Sequence, residues 1–328
     1  MVSCLGADHT GILRVVQDTP SPSMPRVHLF DIPFDPIRMD EVQSRVRTLL
    51  SDGQQHVITT PNPEILLESL ENPELKSFLQ ASDLSIADGI GVLWATTFLY
   101  GHSRESGNPE TQINKTDPFL SGSPRIGVRG RLLKSGMTKW VDFFFSLSWV
   151  VLAPSKIKTV LPERVTGVDS MEEVCRAAKQ EGKSIFLLGG AEGVAQAAGE
   201  VLAKKIPGLN VTGCYAGRPF SEDDAEMLTR MNESGASVLF VAFGCPKQER
   251  WIEENLPKLP SVKIAMGVGG SFDFIAGTIK RAPQWMKSLG IEWFYRLIQE
   301  PHKRLPRIWR AVVVFPLRVR FNTRSTNG

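Results

Sequence analysis

The chain has 328 residues, 42% of them hydrophobic, with a formal net charge of +3. Such a length holds one large domain or two ordinary ones, and such a composition excludes a chain too polar to bury a core. The small net charge gives no ground for nucleic-acid binding. The charge is unevenly placed, however: from Arg296 onward there are eight Lys/Arg and one acid, Glu300.

The four cysteines, Cys4, Cys175, Cys214 and Cys245, lie far apart without a Cys-x-x-Cys pair. That spacing argues against a zinc site and against a disulfide framework, and fits reduced thiols in a cytosolic protein. The N-terminus shows no apolar core of a secretory signal. No run reaches the roughly 18–20 apolar residues of a membrane-spanning helix.

Residues 1–25 read as a mobile extension, because Asp18-Thr-Pro-Ser-Pro-Ser-Met-Pro25 is rich in turn formers. Val27 to Phe30 suits a first strand. Met39 to Leu50 predicts an amphipathic helix with Val42, Val46 and Leu49/Leu50 on one stripe. A strand at 56–60 follows, then two helical pieces, the second opened by Asn72-Pro73-Glu74 as cap, first-turn proline and acidic first turn. A strand at 84–87 leads through Asp88-Gly89 into an apolar helix from Ile90 to Tyr100.

At Gly101 the pattern breaks. Residues 101–160 combine a Gly/Pro/Ser-rich stretch with a dense apolar run, Val141 to Ala153, too short to cross a bilayer. They read as an insertion outside the core fold, since so long an irregular loop is unusual in a compact domain.

The alternation resumes with a helix over 170–181 and a strand over 184–188, then helix 194–205 and strand 210–215. Helix 221–234, capped by Ser221, is followed by strand 238–243, a helix after Gly244-Cys-Pro-Lys-Gln-Glu249, and strand 263–268. Strands alternating with helices predict an α/β, Rossmann-like, mainly parallel sheet with helices on both faces. After Gly277, Trp285 to Arg310 interleaves aromatic and basic residues, which suits an anionic membrane surface.

Candidate chemistry gathers where strands end, because ligands of open α/β sheets bind at the carboxyl edge. Asp88 has the place of an N-cap and equally of a general base taking a proton from a hydroxyl. Thr60 and Asn62 suit a turn or contacts to a sugar hydroxyl. Gly189 and Gly190 suit a tight βα turn or a phosphate cradle. They do not complete G-x-G-x-x-G, and no Walker lysine follows. Gly244 and Gln248 make a similar junction, and Gly269, Gly270 and Asp273 a third. Arg164, Arg296, Arg304 and Arg307 can each be a solvated surface group or a fork for diphosphate oxygens. No acidic pair follows a strand in the manner of a nucleotide-bound metal, and no histidine stands beside a nucleophile as a hydrolase triad needs. The expectation is therefore a site without metal or cofactor.

Seven segments in order resemble the WecG/TagA/CpsF glycosyltransferases, glycosyltransferase family 26. They are Thr-Pro-Asn-Pro-Glu at 60–64, Ala-Asp-Gly-Ile-Gly-Val at 87–92, Pro-Glu-Arg-Val-Thr-Gly at 162–167 and Phe-Leu-Leu-Gly-Gly at 186–190. Phe-Gly-Cys-Pro-Lys-Gln-Glu at 243–249, Gly-Val-Gly-Gly-Ser-Phe-Asp at 267–273 and Glu-Trp-Phe-Tyr-Arg-Leu at 292–297 complete the set.

The resemblance implies metal-independent, inverting transfer of a sugar from a UDP-sugar to a polyprenyl-diphosphate-linked saccharide, in bacterial cell-surface polysaccharide synthesis. N-acetylmannosamine, its uronic acid and glucose are the sugars it allows. It implies a cytoplasmic enzyme, peripheral on the inner face of the cytoplasmic membrane. Asp88 matches the family's proposed general base, and Thr60 and Asn62 its threonine loop. Arg164 matches a diphosphate-binding arginine and Gln248 a donor-pocket glutamine. Arg296, and more approximately Arg304 and Arg307, match arginines of a membrane-docking C-terminal appendage.

The implied organisation is an extension at 1–25, a transferase domain at 26–280 interrupted at 101–160, and an appendage at 281–328. Two other readings stand beside it: a non-catalytic, membrane-associated nucleotide binder inactivated by the insertion, and an NAD(P) oxidoreductase. The sequence leaves a homo-oligomer open.

Overall fold

The structure is a computed structural model and describes residues 25–106, 160–162, 165–279, 286, 295 and 301–322. The N-terminal extension, almost all of the 101–160 segment, Arg164, Arg296 and the side chain of Arg304 lie outside the described residues.

The chain begins with a hairpin. β1 (Val27–Leu29) pairs antiparallel with β2 (Ile32–Phe34). The expected first strand over 27–30 thus stops one residue early and stays out of the main sheet. The cause is local: Phe30 and Asp31 have φ of 56° and 65° and form the two-residue turn whose twist suits a hairpin. Beyond β2, Asp35 donates its backbone N–H to Ser85 O at 2.9 Å and accepts from Ser85 N–H at 2.8 Å. The hairpin's continuation thereby covers an edge strand that would otherwise offer open pairing groups.

Next come α1 (Met39–Ser51), β3 (His56–Thr59), α2 (Pro63–Ser69), α3 (Pro73–Gln80), β4 (Leu84–Ser85) and α4 (Ile90–Ser106). After the segment outside the described residues follow α5 (Gly167–Gln180), β5 (Ser184–Gly189), α6 (Val194–Lys205) and β6 (Asn210–Tyr215). Then come α7 (Asp223–Ser234), β7 (Val238–Ala242), α8 (Lys247–Asn255), β8 (Ile264–Gly267) and α9 (Ser271–Ala276). The six strands β3–β8 form one parallel sheet in the order β4-β3-β8-β7-β5-β6. The α/β, Rossmann-like architecture expected from the alternation is the one found.

Alternating side chains give the sheet two cores, since successive strand residues point to opposite faces. Ile185 and Leu187 of β5, with Val238 and Phe240 of β7, face α1, α5 and α6 through Val46, Met171, Val174 and Ala198. Phe186 and Leu188, with Leu239 and Val241, face the other layer, where Leu66, Phe78, Trp94, Met227 and Trp251 pack.

Two helix starts differ from the sequence reading. α5 begins at Gly167, three residues before the expected 170, because Thr166 caps it: its Oγ1 accepts from Asp169 N–H at 3.3 Å. α7 begins at Asp223 rather than 221, because Ser221 donates its hydroxyl to Arg218 O at 2.6 Å and stays in the preceding turn.

The C-terminal helix runs through α10 (Pro301–Trp309), a π-helical turn (Arg310–Val314) and α11 (Phe315–Asn322). The π turn ends two residues before Pro316, which has no N–H for the normal i−4 bond. Phe315 and Val319 are fully buried against the α2/α4 layer, and Phe315 meets Phe30 edge to face at 6.1 Å. Leu305 and Trp309, each 62% exposed, lie on the outward side with Val312 and Phe321.

Candidate active site

The loops after β3 and β4 are tied to each other. Asp88 N–H donates to Pro61 O at 3.2 Å, and Ile86 N–H to Thr59 O at 2.9 Å. Asn62 uses its side-chain oxygen as the cap of α2, accepting from Glu64 and Ile65 N–H at 3.0 Å each, with Pro63 in the first turn. Thr60, Asn62 and Asp88 are all half-buried.

The N-terminus of α5 closes over these loops. A β-carbon built on Gly167 would lie 3.4 Å from Thr60 Oγ1, 3.7 Å from Asp88 Oδ2 and 4.0 Å from Ser271 Oγ. Thr60 and Asp88, paired by sequence reasoning, therefore do come together. Ser271 and Gly167, read from the sequence only as members of the 267–273 and 162–167 segments, join them. The signals were present in Thr166-Gly167 and in Ser271 after Gly269-Gly270, but convergence of residues so far apart in sequence is not a local property.

Next along the edge is the β7–β8 junction. Gln248 is 4% exposed; its Oε1 accepts from Gly269 N–H at 3.0 Å, and its Nε2 donates to Glu249 Oε1 at 2.8 Å. The Gln248 side chain packs directly on Gly267: a β-carbon there would sit 2.6 Å from Gln248 Nε2, so a larger residue would displace the glutamine. Burial, the largest influence on Glu249, pushes its carboxyl above the usual range, and burial likewise pushes the Cys245 thiol up. Gly270 lies at the head of α9, and Asp273 within it has a carboxylate that accepts from Thr278 Oγ1 at 3.3 Å.

The turns after β5 and β7 meet at Gly189. Its φ is +98°, and an added β-carbon would come within 2.9 Å of the Phe243 ring, so only glycine suits it. Gly190 N–H donates to Ala242 O at 3.1 Å, and Gly244 O accepts from Gln248 N–H at 3.0 Å. β5 connects outward to β6 while its neighbour β7 connects inward to β8, so these two glycine turns mark a point where the connections diverge. Beside them is a cavity of 530 Å³ lined by Gly190, Gly193, Cys214, Tyr215, Arg218 and Asp223 among others. Burial pushes the Cys214 thiol up to about 11, so it stays protonated at neutral pH.

Asp88, Thr60, Gly269, Gly270, Gly244, Gly189 and Gly190 thus all lie where the sheet's strands end. Arg307 is exposed on the C-terminal helix. That helix reaches the same region by packing: Phe315 Cε1 lies 3.8 Å from a β-carbon placed on Gly91, and Arg310 Nη2 lies 3.5 Å from Glu68 Oε2 on α2. Among the described residues no three His, Cys, Asp or Glu side chains gather in a way that would hold a metal ion. None of the described helices is long and apolar enough to cross a membrane.

A parallel α/β sheet with a carboxylate, hydroxyls and glycine turns along its carboxyl edge places polar groups where ligands of such sheets bind. The sequence profile of the glycosyl transferase WecG/TagA/CpsF family matches residues 27–116 and 142–327, and the chain belongs to that family. It is a glycosyltransferase, which decides against the oxidoreductase reading. The unmatched interior, 117–141, falls within the stretch read as an insertion. The chain is also similar to the N-acetylglucosaminyldiphosphoundecaprenol N-acetyl-beta-D-mannosaminyltransferase of Bacillus spizizenii, at 26% identity over 269 residues, 82% of this chain and 79% of the relative.

Proposed function

We propose that the enzyme moves an N-acetylmannosamine-type sugar, its uronic acid or glucose from a UDP-sugar to a polyprenyl-diphosphate-linked saccharide, in one inverting displacement without a metal. The observation that carries this reading is the convergence of Thr60 Oγ1 and Asp88 Oδ2 at the head of α5. A carboxylate among hydroxyl groups is the arrangement a general base needs to take a proton from a sugar hydroxyl. The activity named for the Bacillus spizizenii relative supports the sugar and the lipid-linked acceptor.

The donor's nucleoside diphosphate occupies the 530 Å³ cavity beside Gly190. That volume lies within the usual range for small-ligand sites, roughly 300–1,000 Å³, and the first N–H groups of α6 face a diphosphate there, beside Arg218 and its ion-pair partner Asp223. Gln248 holds the β8 turn that borders the donor sugar. Arg164, Arg296, Arg304 and Arg307 stabilise the departing diphosphate, with guanidinium forks in the role a divalent cation takes in other transferases.

The outward stripe of Leu305, Trp309, Val312 and Phe321, flanked by Arg307 and Arg318, supports docking on an anionic lipid surface at the inner face of the cytoplasmic membrane. The 26–280 domain carries the reaction, and the 281–328 appendage brings it to its lipid-linked acceptor.

The deciding experiment measures UDP release by the purified full chain, given a panel of UDP-sugars and a short-chain polyprenyl-diphosphate-N-acetylglucosamine, with and without EDTA. Acceptor-dependent release from one donor, unchanged by EDTA, is the expected result and names the sugar. Folded protein that releases UDP from none of the donors is instead the non-catalytic binder. Release abolished by EDTA overturns the metal-free mechanism.

A further inference from the structure

Glu249 is 5% exposed and sits in the first turn of α8, next to Gln248. A carboxyl withdrawn from water lowers stability unless something compensates. Its Oε1 accepts from Gln248 Nε2 at 2.8 Å, while Oε2 is buried and makes no well-formed hydrogen bond among the described residues. The Cys245 thiol lies beside the same carboxyl, and no cation does among the described residues. A carboxyl in such a setting does little as a charge. What it does do is receive one amide.

That amide is held from both ends. The backbone N–H of Gly269 can only donate, and it faces Gln248 Oε1 at 3.0 Å. Glu249 Oε1 accepts, and it faces Nε2. Turned by half a rotation, the amide would set nitrogen against N–H and oxygen against oxygen. Glu249 therefore supplies half of the choice of orientation. The turn at the other end of the link needs an anchor from outside. Gly267, Gly269 and Gly270 have no side chains to fix it, and glycine is conformationally permissive. Gln248 also packs on Gly267, and the turn leads directly into Ser271 and α9.

We propose that Glu249 is a positioning residue for the donor: it orients the Gln248 amide, and through it holds the 267–270 turn in the arrangement that binds the UDP-sugar. It acts through Gln248 and touches no reacting atom. This rests on the reading that the donor lies along this edge of the sheet. The role asks residue 249 for reach and an acceptor oxygen, not for negative charge, in keeping with burial that pushes the carboxyl toward its protonated form. Glutamine supplies reach and oxygen without charge. Aspartate keeps the charge and falls one methylene short.

The test compares Glu249→Ala, Glu249→Gln and Glu249→Asp in the full chain, with UDP itself as the calorimetric probe. In Glu249→Ala, UDP affinity should fall roughly ten-fold, the worth of about one hydrogen bond. The donor KM should rise in step, with kcat and the acceptor KM within about three-fold of wild type, as loss of uniform donor binding requires. Glu249→Gln should restore UDP affinity, and Glu249→Asp should behave as alanine does. Amide exchange at Gly269 should speed up in the alanine and aspartate variants and stay slow in the glutamine variant.

A folded Glu249→Ala protein with wild-type UDP affinity overturns the proposal, and a lowered melting temperature alone would leave Glu249 a purely structural role. Activity kept by aspartate and lost with glutamine also overturns it, by assigning the residue a role as a charge. Should the alanine variant fail to fold, equal UDP affinity in the other two overturns it as well. Wild-type protein that binds no UDP removes the donor reading itself, whereas UDP binding that is indifferent to residue 249 removes only the present inference.

Discussion

The side-chain oxygen of Gln248 accepts the backbone N–H of Gly269 at 3.0 Å, so one buried amide joins the turn after β7 to the turn after β8. The other end of that amide donates to the buried carboxyl of Glu249. Removing it leaves the buried Glu249 carboxyl and the half-buried Gly269 N–H without this partner. Gln248→Ala should cost roughly 1–3 kcal/mol of stability, the penalty for unsatisfied buried groups. It should also raise the donor KM, because the β8 turn is no longer fixed. Urea denaturation and donor titration check the two effects; a variant as stable as wild type would mean that the turns hold without this link.

Asp88→Asn keeps the shape of the side chain and removes its basicity. If Asp88 takes the acceptor's proton, kcat should fall by about 10²–10⁴-fold, the usual contribution of a general base, while UDP affinity is retained. Single-turnover rates with saturating donor read this directly, and wild-type turnover would contradict the assignment.

His56 opens β3 at the opposite edge of the sheet, with Nε2 2.9 Å from Asp52 and Nδ1 3.1 Å from Asp83. Burial disfavours its charged ring, but hydrogen bonds and the charges of Asp52 and Asp83 outweigh burial and raise its pKa above 6.5. A group whose folded pKa is raised lends full stability below its unfolded pKa and loses it as pH climbs through the folded one. Wild-type stability should therefore decline as pH rises above about 6.5, the unperturbed value for histidine. Glu249, also raised by burial, gives a slope of the same sign. The comparison with His56→Gln is the readout: that variant should show a shallower decline in melting temperature between mildly acidic and mildly basic pH. An identical slope in both proteins would remove His56 as a contributor.

Phe315 is fully buried between the hairpin and α2/α4, and carries the docking of the C-terminal helix. Phe315→Ala should cost on the order of 3–5 kcal/mol, as large-to-small changes in cores do. The loss should be local, appearing first as faster hydrogen exchange and proteolysis in 301–322 while the sheet remains protected. Uniform loss of protection across the sheet would show instead that the helix and the domain unfold as one unit.

Trp309 and Leu305 point away from the domain. Replacing both with serine should weaken co-sedimentation with anionic vesicles by roughly ten-fold or more, given about 1.5–3 kcal/mol per large apolar side chain buried. Activity on a long-chain acceptor in vesicles should suffer more than activity on a water-soluble analogue. Unchanged vesicle binding would point to another docking surface.

The sequence by itself determined the local elements and where they stop. Hydrophobic period, caps such as Asn72-Pro73 and the glycine turns are short-range properties, so helix 194–205 and strand 210–215 were legible to the residue. The positions of Asp88, Thr60, Gly190 and Gly244 at strand ends were legible for the same reason. Two features near the hairpin and α5 were less so: two non-glycine residues at positive φ made the turn at 30–31, and Thr166 took the cap ahead of its competitors. The order β4-β3-β8-β7-β5-β6 was decided only by tertiary structure, because several orders bury the same apolar faces and pattern alone does not choose among them. That order places β3 between β4 and β8, and so brings Thr60, Asp88 and Ser271 around one glycine at the head of α5. A site made by loops 60, 88, 167 and 271 exists only once long-range strand pairing has closed it, which is why its parts could be named from the sequence and its geometry could not.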